Sequence, residues 1–265
     1  MKHIFSSISV LLFLSIFVWS CQDADAINPD DKNNVIIEFE NFVGGQKLLL
    51  NTKSFKNQAN EDFTITKLNY YVSNISLKKA DGTEVKFPND YFLVREEDPT
   101  SLKLTLKDVP AGDYTSISYI IGVDSARSVA DISQRTGVLD LAQEDKMYWS
   151  WNSGYIFFKM EGTSAMATTP AKNFQFHVGG FGGMTGPTPN NIRKITNTLG
   201  TISAKVRVNS VPTIHIITDV LTVFSQGHTI AGRSLVHSPA LAIPIANGYM
   251  NMFTVDHVHN DLTTN

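Results

Sequence analysis

From Asn34 onward, apolar and polar residues alternate with a period of two, as in strands that bury one face and wet the other. Val35, Ile37 and Phe39 alternate with Ile36, Glu38 and Glu40. Ile75 and Leu77 alternate with Ser76 and Lys78, and Asp81-Gly82 then supplies a hairpin turn. Leu102, Leu104 and Leu106 alternate with Lys103, Thr105 and Lys107. After the turn Pro110-Ala111-Gly112-Asp113, the series resumes with Ile117, Tyr119 and Ile121 against Ser116 and Ser118. Ile202, Ala204, Val206 and Val208 repeat it against Ser203, Lys205 and Arg207. Helical spacing is scarce, with one short helix expected within 125–141 and another at 218–225. The pattern predicts an all-β protein: an antiparallel, immunoglobulin-like β-sandwich with one or two short helices. No internal repeat or linker divides 34–260, which reads as a single domain followed by a short tail at 261–265.

The N-terminus has a different pattern. Lys2 precedes an apolar run from Ile4 to Val18 that only serines interrupt. It is shorter than the ~20 apolar residues a spanning helix needs, so residues 1–20 read as a signal peptide. The run closes in Val18-Trp19-Ser20-Cys21, which resembles a bacterial lipobox. Cys21 is the only cysteine, so no intrachain disulfide competes for it. Lipidation there would fix the mature protein to a membrane. The acidic, polar stretch 21–33 reads as a flexible tether. Acidic residues just after the cysteine resemble signals that place Bacteroidetes lipoproteins on the outer membrane, so the expected location is the cell envelope, facing the periplasm or the surface.

A formal net charge of -3 with no basic run gives no footing for nucleic acid. Gly-x-Ser-x-Gly, His-Glu-x-x-His, a Walker loop and a zinc-type cysteine pair are all absent, so the chain does not read as an enzyme. Chemistry-bearing residues gather instead in Met147–Gly162, which holds Trp149, Trp151 and Tyr155. In an extended chain Trp149 and Trp151 point to one side. The strand carrying His177 follows and runs into Gly179-Gly180-Phe181-Gly182-Gly183, a loop able to turn sharply beside large rings. His177 alternates away from Phe174, Phe176 and Val178. His215, within an apolar strand, reads as a core histidine, and His228 and His237 as solvated loop residues. His257 and His259 form a His-x-His pair suited to a metal ion, with Met250 and Met252 adding thioethers that suit copper.

The segments Tyr148–Gly162 and Phe174–Gly180 resemble the MbnP-like family, whose namesake is a periplasmic protein encoded beside methanobactin genes. Tyr70–Ile75, Val109–Tyr114 and Ile121–Asp124 add to the resemblance, which spans most of 35–260. It implies a copper-binding β-sandwich. In related surface proteins of methane oxidisers, a tryptophan oxidised to kynurenine joins histidines around copper, and a di-haem partner of the cytochrome c peroxidase type performs the oxidation. The resemblance places His177 at the family's histidine and Trp149 or Trp151 at its aromatic position. In the methane-oxidiser proteins a histidine follows the modified tryptophan by two residues, where this chain has Trp151. His257 or His259 are candidates to replace that ligand, and Asp124 is a further oxygen donor. Two other readings stand beside copper: a surface module stacking glycan or peptide on Trp149, Trp151 and Tyr155, and a scaffold whose tryptophans fill the core.

Overall fold

The computed structural model describes residues 26–142 and 145–262. The signal segment and Cys21 lie outside the described residues. The elements are β1 (Lys32–Val43), β2 (Gln46–Lys47), β3 (Ser54–Lys56), β4 (Asp62–Lys79), β5 (Glu84–Arg95), β6 (Lys103–Pro110), β7 (Gly112–Ile121), α1 (Ser125–Ser128), β8 (Tyr148–Trp149), β9 (Gly154–Thr163), β10 (Asn173–Gly179), β11 (Arg193–Thr198), β12 (Ala204–Val206), β13 (Ser210–Asp219), β14 (Leu235–Val236), α2 (Pro239–Tyr249) and β15 (Phe253–Leu262).

Two sheets result. In the five-stranded one, β15, β13 and β1 lie side by side, and β1 also pairs with β6 and β2. The ten-stranded sheet is built on the long strand β4, which pairs with β3, β5, β7 and β9. From β9 it continues to β10 and β14, and from β7 to β11 and β12. The Asp81-Gly82 turn closes the β4–β5 hairpin, with the Gly82 N–H donating to Lys79 and φ at +91°. Pro110–Gly112 instead carries the chain from β6 in one sheet to β7 in the other.

The all-β expectation holds, with one difference in strand direction. β1 runs parallel to β13, and β10 runs parallel to β14. Period-two patterning fixes which face a strand buries but carries no information about its neighbour's direction.

The inward faces share one core. Val35, Ile37 and Phe39 of β1 join Ile214 and Ile216 of β13, Val258 of β15, Tyr70 and Val72 of β4, and Phe174 and Phe176 of β10. Each such side chain contributes roughly 1.5–3 kcal/mol on burial. Phe39 meets Tyr70, Tyr119 and Phe253 edge-on, an arrangement the ring quadrupoles favour. The buried Tyr70 hydroxyl donates to Asn41 Oδ1 at 3.0 Å, so its desolvation is offset.

A second apolar cluster covers the outer face of the ten-stranded sheet. Tyr71 of β4 and Tyr155 and Phe157 of β9 pack there with Leu139, Met147 and Phe181. Loops between β7 and β9 therefore cap this face.

The helices differ from expectation. Within 125–141 the four-residue α1 is followed by 3-10 turns at Ile132–Gln134 and Gly137–Leu139. At 218–225 there is a 3-10 turn, Val220–Phe224. The longest helix, α2, was not expected. It contains Pro244 and Gly248 and buries Ala242, Ile245, Ala246 and Tyr249, so its composition argues against a helix that packing nevertheless enforces. Of the strand expected at 202–208, only Ala204–Val206 forms, and Ile202 and Val208 are exposed. Among the described residues no helix is long and apolar enough to cross a membrane.

Candidate metal centres and an aromatic face

On β10, Phe174, Phe176 and Val178 enter the core, so His177 and Gly179 face outward from the ten-stranded sheet. Across β9, Lys159 stands opposite His177, and Glu161 opposite Gln175. His177 Nε2 lies 2.7 Å from Glu161 Oε1. Val236 of β14 pairs with Phe176, which sets the next residue, His237, beside His177 with ring centroids 4.6 Å apart. Hydrogen bonding to His177 holds the Glu161 carboxyl below its ordinary range. Lys159 is buried, which lowers its pKa, and its ammonium donates to the carbonyls of Asp145 and Lys146 at 2.6 and 3.0 Å.

The aromatic stretch lies against the same face. Trp149 and Trp151 stack at 4.9 Å with an interplanar angle of 27°, although the chain is not extended through both: β8 ends at Trp149 and Trp151 lies in the turn that follows. Trp149 is half-buried on Gly179, where an added Cβ would sit 2.7 Å from the indole and 2.6 Å from the Tyr155 carbonyl oxygen. Gly179 is thus the residue that lets an indole rest on the strand. Asn152 Oδ1 accepts from the backbone N–H groups of Met184, Thr185 and Gly186, tying the glycine-rich loop to the tryptophan segment. Trp151 is 43% exposed. Tyr155 is buried, and its hydroxyl donates to the Leu139 carbonyl at 2.7 Å, so it packs the second cluster and offers no surface to a ligand.

Asp124 stands apart from these groups. One of its carboxylate oxygens caps α1 by accepting from the Arg127 N–H at 2.9 Å, and the other accepts from the Tyr91 hydroxyl. Both oxygens are occupied with local structure.

The remaining histidines gather on the five-stranded sheet. Ile214 and Ile216 enter the core on either side of His215, and Val258 does so between His257 and His259, so all three imidazoles face outward. His215 and His257 are register partners, and His259 pairs with Thr213 two residues away. A bulge between His215 and Ile216 leaves Asp256 without a partner and re-aims the strand. Among the described residues this is the one group of three His, Cys, Asp or Glu whose ligating atoms all lie within 4.8 Å of one another. Burial, then the neighbouring His257, lowers the pKa of His215.

These positions revise the expected ligand set. His177 faces outward from one sheet, and His257 and His259 face outward from the other. Stacked sheets lie about 10 Å apart, with the core between, so one ion is not shared by both groups. His215 does not fill the core but joins His257 and His259. Met252 is buried in the core, and Met250 is exposed at the end of α2. His228 is buried rather than solvated, with its ring edge-on to Phe176 at 4.6 Å. His237 remains exposed.

A β-sandwich with histidines on both outer faces, one of them beside a stacked indole pair, is the class of protein that fold and geometry define. The chain belongs to the MbnP family, whose model matches residues 32–238. Its structure is similar to that of MbnP from Methylosinus trichosporium, with a TM-score of 0.54 over 87% of this chain and 99% of that one. At 13% identity this likeness shows a common fold. No curated protein sequence matches the chain. The family match ends before β15, so His257 and His259 lie beyond it.

Proposed function

We propose that this protein binds copper in the cell envelope, for acquisition or handling of the metal, and is not itself a catalyst. Membership of the MbnP family supports the reading. The observation that carries it is the arrangement on β10: Trp149 rests on Gly179, two residues and about 7 Å along the strand from the outward-facing His177. His237 and Glu161 touch His177 from either side. Two imidazoles and a carboxylate are donors that copper accepts. His177 and His237 would hold the ion, and Glu161 would fix the His177 tautomer through its other nitrogen. Bound copper would supply affinity for an electron-rich partner group. Either Trp149 or the more exposed Trp151 is the residue a di-haem oxidase would convert to kynurenine. Lipidation at Cys21 would hold the domain at the outer membrane, on its periplasmic or outer surface.

The test is metal content and intact mass of the mature protein purified from its native host. Copper near one equivalent together with the mass of a kynurenine conversion, mapped to the peptide holding Trp149 and Trp151, supports the reading. An unmodified mass, no metal and no response to added copper would remove it.

A second reading has one observation in its favour. Trp151 presents an exposed indole braced from behind by Trp149, a form that stacks on sugars. Quenching or a shift of tryptophan emission by oligosaccharides, with no metal present, would support that reading.

A further inference from the structure

We propose that His215, His257 and His259 form a metal site of their own, separate from the His177 face, for a divalent first-row transition ion. The argument rests on side-chain placement in the five-stranded sheet and does not depend on the copper reading above.

Three neutral imidazoles form a donor set that suits copper(II), zinc(II) and nickel(II), while hard ions such as calcium or magnesium prefer oxygen. The required convergence is already present, with one nitrogen from each ring lying within 4.8 Å of the other two. His257 Nε2 and His259 Nε2 are 2.8 Å apart, close to the separation of two nitrogens each bonded to one ion at ~2.0–2.1 Å.

The surroundings fit a metal site as well. His257 Nδ1 lies 2.6 Å from Asp256 Oδ2. A carboxylate on Nδ1 fixes the proton there and leaves the Nε2 lone pair for a metal. Asp256 is the residue that the β-bulge leaves unpaired, so the irregularity in the strand places the carboxylate. On the next strand, Glu38 stands opposite His215 in the register, with Oε2 3.8 Å from His215 Nδ1. Two carboxylates thus flank the three rings and favour a cation.

One adjustment is required. His215 and His257 are stacked at 4.2 Å with an interplanar angle of 13°, while His259 is nearly perpendicular to both. An ion lies in the plane of each imidazole it binds, so loading must rotate one stacked ring about its terminal torsion. That torsion is broad and soft, and His257 is exposed. The site therefore sits at the open edge of the sheet, where an ion is able to enter and leave.

Binding of Zn(II) and of Cu(II) is measured by calorimetry on the mature chain, in a His177→Ala, His237→Ala background that removes the other face from the count. One equivalent is expected, with Cu(II) tighter than Zn(II). His215→Ala should weaken it at least tenfold, and Asp256→Asn about 10- to 100-fold, as loss of an outer carboxylate does. Asp256 is exposed, so Asp256→Asn is expected to keep the fold and the proposal stays testable even where His215→Ala unfolds. One equivalent of Zn(II) should also shift the imidazole nitrogen resonances of all three residues. Binding that is unchanged by His215→Ala in a folded protein would overturn the proposal in favour of an adventitious His-x-His pair. Absence of stoichiometric binding would overturn it too. Neither result bears on copper at His177, because the background variant lacks that site.

Discussion

His228 is enclosed by Phe176 and Phe224, and its Nε2 has no hydrogen-bond partner among the described residues. Burial, reinforced by Arg233 and opposed by Glu61, lowers its pKa from 6.5 to about 4. The folded chain keeps this imidazole neutral, whereas the unfolded chain protonates it below its ordinary pKa. The stabilisation is therefore fully present above about pH 6.5 and is lost as pH falls toward 4, with a loss on the order of 3 kcal/mol. His228→Leu should flatten that part of the profile, which urea midpoints taken at pH 7 and pH 4 would register. Equal slopes in parent and variant would exclude His228 as the source. Nothing in the sequence marked this residue, because Gly227-His228-Thr229 reads as a polar loop. The cage comes from Phe176 and Phe224, which lie on other elements and reach it only through the tertiary fold.

Among the elements, the strands were legible and the main helix was not. The alternations through Val35–Phe39, Ile75–Leu77 and Ile117–Ile121 survive as faces of β1, β4 and β7, because burial on one side enforces a period of two. α2 carries Pro244 and Gly248, and its stability comes from what it covers. At Gly248 an added Cβ would meet the Thr222 carbonyl oxygen at 2.4 Å and Val223 Cα at 3.0 Å. The helix is thereby seated directly on the backbone of the Val220–Phe224 turn. Gly248→Ala should raise local helix propensity yet destabilise the protein by about 1–3 kcal/mol through overpacking. A melting temperature that rises instead would show that the two segments separate freely. The Trp149–Trp151 pair was legible as neighbours in sequence but not in its cause, since β8 ends at Trp149 and the turn that follows, rather than an extended strand, brings Trp151 over it.

At the scale of the whole molecule, the sandwich core insulates the two outer faces from each other. Metal loading at His215, His257 and His259 should leave the emission of Trp149 and Trp151 unchanged, while copper at His177 should quench it. A titration that moved both signals together would show coupling through the core. The three-histidine cluster was only partly legible: His257 and His259 announce themselves as neighbours in sequence, but His215 joins them through a β13–β15 register that local pattern cannot specify. The parallel pairing of β1 with β13 has a further consequence, this time for the time course of folding. Ile36 aligns with Thr213, and β15 is added only after β13. A chain emerging from its N-terminus must leave one edge of β1 open until most of its length has appeared. Long-range closures of this kind make folding slow, and an unpaired apolar strand is prone to aggregation in the interval. A chaperone that shields β1 during that wait would therefore raise the yield of native protein more than one acting on the finished sheet.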